Sequence, residues 1–342
     1  MRVGVLTGGG DSPGLNAVIR AIVRKGEHHY GDEIIGFLDA WHGVMHDRTM
    51  PLAVSTLRGM LPRGGTLLGT RRGGPYDEPD GLQRVVDSVA RHRLDALVVI
   101  GGNGSLTVGS RLHRELGLPI VGVPKTIDND VVGTDVTFGF HTAVQIATDA
   151  IDRLHTTAEA HDRVMIVEVM GRDAGWIATY AGIAGGATIV LVPEVPFRLD
   201  EVCDVLRRRH DRGRFASIVV VAEGAASAAN DLPASPAAPG TDYGLGSIAY
   251  RLAPEIERRT GFDTRVTVLG HVQRGGTPTA YDRVLATRYG LEAIDIVHRK
   301  EWGSMAGIDG TRRMVSVPLA EVEGHTRRLD PAMYDVAEVF FG

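Results

Sequence analysis

Seven consecutive residues, Pro124-Lys125-Thr126-Ile127-Asp128-Asn129-Asp130, put an ammonium, a hydroxyl, an amide and two carboxylates into one turn. The turn follows an apolar run at 118–123, where a buried strand end has little use for so many polar groups. Phosphoryl transfer uses this set: one carboxylate takes a proton, another stands near a metal, and a lysine offsets phosphate charge. Two further polar loops, Gly8-Gly9-Gly10-Asp11 and Gly101-Gly102-Asn103-Gly104-Ser105, follow apolar runs of the same kind. Amides freed by glycine at a helix start favour an anion, and Ser105 is placed to cap the helix that follows. The first turn lacks the dinucleotide spacing, and no acidic residue ends the second strand in the ribose-binding manner, Asp39 being the nearest. Arginine recurs beside glycine at Arg63, Arg72, Arg172 and Arg274. One such arginine is an ordinary loop charge, whereas four together suit phosphate oxygens.

The elements that must hold these loops alternate along the chain. Strands are expected at 3–7, 34–38, 96–100, 120–123, 163–169, 188–192, 217–222 and 265–269. Helices are expected at 15–25, 105–116, 143–160, 176–184, 201–212 and 281–299. Continuous apolar strands separated by helices imply an α/β fold with mainly parallel sheets, and ligands then sit beyond the carboxyl ends of the strands. A length of 342 residues implies two domains. The segment 225–243, rich in Ala, Ser, Pro and Gly, reads as an exposed insertion.

Composition sets the remaining bounds. With 43% hydrophobic and 23% charged residues, the chain has the make-up of a soluble globular protein. A net charge of -5 argues against nucleic acid as a partner, and no apolar run is long enough to span a membrane. The lone Cys203 lies in a helical pattern and reads as a buried thiol. No export signal is evident, so a cytoplasmic location is expected.

The motifs GVLTGGGDSPGLN (4–16), RGGTLLGTRR (63–72), GGNGS (101–105), PKTIDND (124–130), EVMGRDAGW (168–176), PEVPF (193–197) and VLGHVQRGGTPTAYDR (268–283) come in the order of one family. Over nearly its whole length the chain resembles the bacterial-type 6-phosphofructokinases, and its actinobacterial members in particular. The resemblance implies two Rossmann-like three-layer domains: a donor domain at 1–139 plus about 273–303, and a sugar-phosphate domain at 140–272 plus about 304–342. It implies that ATP, with Mg²⁺, phosphorylates the 1-hydroxyl of fructose 6-phosphate in glycolysis. Asp128 matches the general base, Thr126 and Arg172 the groups holding the transferred phosphoryl, and Arg72 the arginine bridging donor and acceptor; Gly10 joins this catalytic set. Gly10, Arg72, Gly102, Asn103, Gly104, Ser105 and Lys125 would line the donor, with Trp41 near adenine, and Asn103 and Asp130 would hold the metal. Met170, Gly171, Glu223, His271 and Arg274 match the sugar-phosphate pocket. Arg163 and Arg265 would reach it from a neighbouring subunit, which implies a homotetramer.

Three positions depart from the family's pattern. Asn103 stands where GGDGS has a metal-holding aspartate. Gly104 matches ATP users while Lys125 matches pyrophosphate users, and steric room at Gly104 favours ATP. In the family's effector site Arg20, Arg24, Arg212 and Arg214 match, but Val54, His155 and Thr188 replace two arginines and a glutamate, so ordinary effector control is not expected. Alternatives are a pyrophosphate-dependent enzyme, a kinase of another ketose phosphate such as sedoheptulose 7-phosphate, and a non-catalytic sugar-phosphate-binding regulatory paralogue.

Overall fold

Strands and helices alternate in the computed structural model, which describes residues 1–229, 232 and 246–342. The chain divides into two units, Met1–Thr142 with Arg274–Arg327, and Ala143–Gln273 with Arg328–Gly342. The first unit opens with β1 (Arg2–Thr7), α1 (Leu15–Lys25), β2 (Glu33–Phe37), α2 (Trp41–Met45) and β3 (Thr49–Leu52). It continues through α3 (Gly81–Arg91), β4 (Ala96–Gly101), α4 (Asn103–Leu116) and β5 (Ile120–Pro124). Helix α5 (Phe140–His161) leads into the second unit, which holds β6 (Val164–Val169), α6 (Trp176–Ala184), β7 (Ile189–Leu191) and α7 (Leu199–Asp211). There follow β8 (Ser217–Ala222), α8 (Ile248–Thr260) and β9 (Thr264–Val268). The chain returns to the first unit for α9 (Ala280–Arg299), β10 (Ser304–Ile308) and β11 (Met314–Pro318), and ends in the second with α10 (Pro331–Glu338).

The first sheet has the order β11-β10-β5-β4-β1-β2-β3, parallel except for its two edge strands. Its central strands alternate cleanly. Val3, Val5, Val98, Ile100, Val121 and Val123 pack towards α1 and α9. Leu6, Leu97, Val99 and Ile120 pack towards α3 and α4. The strand order reverses between β1 and β4, and the crevice at such a switch point is the usual ligand position in an open α/β sheet. The second sheet, β7-β8-β6-β9, is wholly parallel. One of its faces packs on α7 and α8 and the other meets α6, so this unit is also a mixed α/β layer structure.

Residues 304–327, expected with the sugar-phosphate domain, instead carry β10 and β11, because β10 hydrogen-bonds alongside β5. Within the expected insertion, residues 230, 231 and 233–243 lie outside the described residues. Of its described residues Ala226, Ala228 and Ala229 are exposed, whereas Ala225 and Leu232 are buried in the core formed by β8, α7 and α8. Among the described residues no helix is long and apolar enough to cross a membrane.

Candidate active site

In the first unit, the parallel register of β1, β4 and β5 brings their carboxyl ends side by side, and with them the three polar loops. Gly8 N–H donates to the Ile100 carbonyl at 2.8 Å, and Lys125 N–H to the Gly101 carbonyl at 2.9 Å. The glycines admit side chains from neighbouring elements. A Cβ on Gly8 would stand 2.4 Å from Ser105 Oγ, and one on Gly10 would stand 2.6 Å from Arg274 Nη1. Ser105 does not cap α4 as expected. It lies inside the first turn, the N-cap is Gly102, and no side chain caps this helix. Its first amide groups therefore have no intrahelical or capping acceptor and favour an anion. Gly104 is exposed, with nothing outside its own helix backbone within 4 Å of where a Cβ would be.

The Pro124–Asp130 turn is held by its own polar groups. Thr126 Oγ1 accepts from Asp128 N–H at 3.1 Å. Asn129, at φ 55°, accepts from Thr137 N–H at 2.9 Å through its side-chain oxygen. Arg327 N–H donates to the Asp130 carbonyl at 2.8 Å, and Arg327 Nη1 donates to the Asn129 carbonyl at 3.1 Å. Asn129 is thus a scaffold residue, while Asp128 is left differently placed. It is only 4% exposed, and its Oδ1 has no hydrogen-bond partner among the described residues. An unpaired buried carboxylate oxygen is costly; among the described residues Asp282 Oδ1 shares this state, but Asp128 is the one set among the phosphate-suited loops.

Lys125 is 2% exposed and its ammonium donates to the Gly10 carbonyl. Burial lowers its pKa to about 8, Arg274 acts in the same direction, and Asp128, Asp11 and Asp130 oppose them. Arg274, expected with the sugar phosphate, has its guanidinium against Gly10 and donates to the Asp11 carbonyl at 3.3 Å. Arg72 is exposed on a loop drawn in by Thr70 Oγ1, which donates to the Gly9 carbonyl at 2.5 Å. Trp41, expected near adenine, is instead 2% exposed within the apolar cluster of β2, α2 and α3, so its ring is not offered to a ligand.

Asn103 and Asp130 were expected to hold Mg²⁺. Asn103 Nδ2 donates to Asp130 Oδ2 at 2.9 Å and to the Asp130 carbonyl at 3.2 Å, and Asn103 Oδ1 is buried without a partner. The opposite amide orientation would set acceptor against acceptor. Among the described residues no group of three or more His, Cys, Asp or Glu is arranged to hold a metal ion. The oxygens present fit Mg²⁺ as a site shared with a phosphorylated ligand, the usual arrangement for this ion, and not as a closed protein cage.

In the second unit, β6, β8 and β9 run parallel in register, so Met170, Gly171 and Arg172 after β6, Glu223 after β8, and His271 after β9 share one edge. Glu223 Oε1 accepts from Gly171 N–H at 3.3 Å and Arg172 N–H at 2.9 Å, which fixes a turn whose residues have φ 146° and 52°. Arg163 and Arg265 lie at the opposite, amino ends of β6 and β9, where both pair with Asp263. A six-residue strand separates the two edges by roughly 20 Å, at about 3.3 Å per residue. Sequence reasoning missed Arg327 and Thr137, which brace the 124–130 turn. Their contacts span up to 198 residues of chain, and no local pattern marks them.

Residues 2–297 match the Phosphofructokinase family. A pyrophosphate–fructose 6-phosphate 1-phosphotransferase of Streptomyces coelicolor is 53% identical over the full length of both chains. The same organism's ATP-dependent 6-phosphofructokinase 3 is 50% identical over 99% of each. Overall identity therefore does not discriminate between the two donors. The phosphofructokinase of Pichia pastoris in its T-state superposes with a TM-score of 0.84 at 32% identity, covering 99% of this chain and 36% of that longer one. By these matches, which follow the motif order and the sheet topology, the chain belongs to the phosphofructokinase family.

Proposed function

We propose that the protein transfers the terminal phosphoryl group of ATP to the 1-hydroxyl of fructose 6-phosphate, giving fructose 1,6-bisphosphate. The observation that carries the reading is Asp128, a buried carboxylate with an unpaired oxygen at the end of β5, beside the lysine and glycine turns suited to phosphate. Asp128 accepts the proton of the sugar hydroxyl as the oxygen attacks the terminal phosphorus. A positioned base of this kind contributes ~10²–10⁴-fold in rate. Charge gathers on the oxygens of the transferred group in a loose transition state, and Thr126, Arg72 and Arg172 stabilise it. Amides at the start of α4 and the Lys125 ammonium take the donor's phosphates. Asp130 would hold Mg²⁺, which would supply charge neutralisation when bound together with the donor. Met170, Gly171, Glu223 and His271 bind the sugar phosphate.

Gly104 supports ATP: an added Cβ there would meet nothing within 4 Å outside its own helix, and a larger donor than pyrophosphate needs such room. A second reading, pyrophosphate as donor, is favoured by the buried cation of Lys125 and by the 53% identical relative. Both readings take a ketose phosphate as acceptor, and with either the cytoplasm is the expected location. A homotetramer is part of this reading: Arg163 and Arg265, which a strand of roughly 20 Å separates from their own chain's sugar-phosphate edge, would serve the site of a neighbouring copy. The exposed edge strand β9 and a groove of about 650 Å³ beside it, lined by Tyr250, Arg265 and Val266, offer a surface for another copy.

The test combines Asp128→Ala with donor titration. The variant should lose phosphoryl transfer by at least ~10²-fold and still bind fructose 6-phosphate. Normal turnover by the variant overturns the base assignment, and turnover with pyrophosphate but none with ATP selects the second reading.

A further inference from the structure

The immediate neighbours of Lys125 are electrostatically unusual for a divalent-cation site. The charges that act most on this position are the Arg274 guanidinium and the carboxylates of Asp11, Asp128 and Asp130, which with the ammonium itself balance to one net negative charge. The residue best placed to add a second is Asn103, which is neutral and uses its amide N–H groups on Asp130 instead. Its own oxygen is buried and unpaired. An Nδ2 group bonded to both the side chain and the backbone carbonyl of Asp130 fixes the direction of that carboxylate.

Resting on the kinase reading above, we propose that Asn103 is a positioning residue and not a metal ligand. It orients Asp130 in the metal-free protein, and the divalent cation enters only together with the donor's phosphate oxygens. The free protein, with three carboxylates set against two cations, has too little net negative charge to hold the ion alone. A doubly charged ion is drawn to a site in proportion to its net negative charge, and a buried lysine and a half-buried arginine oppose it. Phosphate oxygens reverse that balance by neutralising Lys125 and adding ligands of the kind Mg²⁺ prefers. Asn103 therefore substitutes for the structural part of a second carboxylate, and the donor supplies the charge.

The test uses Mn²⁺ as the probe, followed by the electron-spin-resonance signal of the free ion, on the full-length wild-type protein and on Asn103→Asp and Asn103→Ala. Wild type alone should leave Mn²⁺ free at concentrations that half-saturate Asn103→Asp, a difference of at least tenfold in affinity. Adding ATP, or separately pyrophosphate, should produce protein-bound Mn²⁺ in wild type, with affinity at least tenfold weaker in Asn103→Ala. Circular dichroism and thermal melting confirm that each variant is folded. Wild type binding free Mn²⁺ as tightly as Asn103→Asp overturns the proposal, as does Asn103→Ala binding the metal–donor complex like wild type. Failure of both ATP and pyrophosphate to bind with Mn²⁺ in wild type sinks the kinase reading itself, and the proposal with it.

Discussion

Replacing Lys125 by methionine separates the stability of this protein from its activity. The ammonium is 2% exposed and burial lowers its pKa from 10.5 to about 8. The folded state therefore binds its proton less tightly than the unfolded chain does. At pH 7 both states are mostly protonated, and holding the charge inside costs roughly 3 kcal/mol, at about 1.4 kcal/mol per tenfold change. Between about pH 8 and 10.5 the folded lysine is largely neutral while the unfolded one is charged. The unfolded state then binds more protons, stability rises with pH, and the cost falls to roughly 2 kcal/mol at pH 9. Methionine fills a similar volume without a charge.

Lys125→Met should thus be more stable than wild type by about 2–3 kcal/mol at pH 7, and the gap should narrow at pH 9. Thermal melts at the two pH values measure both effects. The same variant should bind the phosphoryl donor at least ~10-fold more weakly, since a charge-assisted contact to phosphate is lost. Equal stability at pH 7, or a gap that does not narrow, would show that the lysine is not held charged against burial, and the case for a dedicated phosphate cation at this position would fall. Stability given up for a site is a common compromise in enzymes.

Much of this architecture was legible in the sequence, for a physical reason. The central strands are continuous apolar runs buried on both faces, and such runs at 3–7, 96–100, 120–123, 164–169 and 217–222 need no partner to be recognised. What escaped were elements defined by their neighbours. β3 carries Pro51 and lies at a sheet edge, β11 is the opposite edge, and α8 contains Pro254. Ser105 looked like a cap because it follows two glycines and a turn residue, yet α4 begins two residues earlier, at Asn103. Trp41 illustrates a different limit: an aromatic side chain near a ligand loop has no sequence signature that tells stacking from core packing. At the site, residue types announced phosphate chemistry, but the division of labour did not show. Asn129 and Thr137 brace the turn, Asn103 turns its amide on Asp130, and Asp128 alone keeps an unpaired oxygen within it. Spatial partners decide these roles.

Three further outcomes are expected. Arg327→Ala removes the bond from Nη1 to the Asn129 carbonyl; it should cost ~1–2 kcal/mol of stability and lower kcat more than it raises KM, as steady-state kinetics can show. At Gly104 an added Cβ meets nothing within 4 Å outside its own helix backbone, and Gly104→Asp places an acid in the first turn of α4, so thermal melting should be little changed. Its ATP KM should rise at least ~10-fold if that open space receives a donor phosphate, and an unchanged value would place the donor elsewhere. The last outcome concerns Arg163 and His271, which lie at opposite edges of the second sheet. If sugar sites are shared between copies, Arg163→Ala and His271→Ala damage different contributors to the same site. Mixed and allowed to exchange, two such inactive variants should recover about a quarter of wild-type activity, because random pairing in a two-fold interface leaves one intact site in each mixed pair. Exchange verified by mass without any recovery would mean that each copy builds its site alone. In that event the amino-edge arginines serve only to pair with Asp263, which they already do.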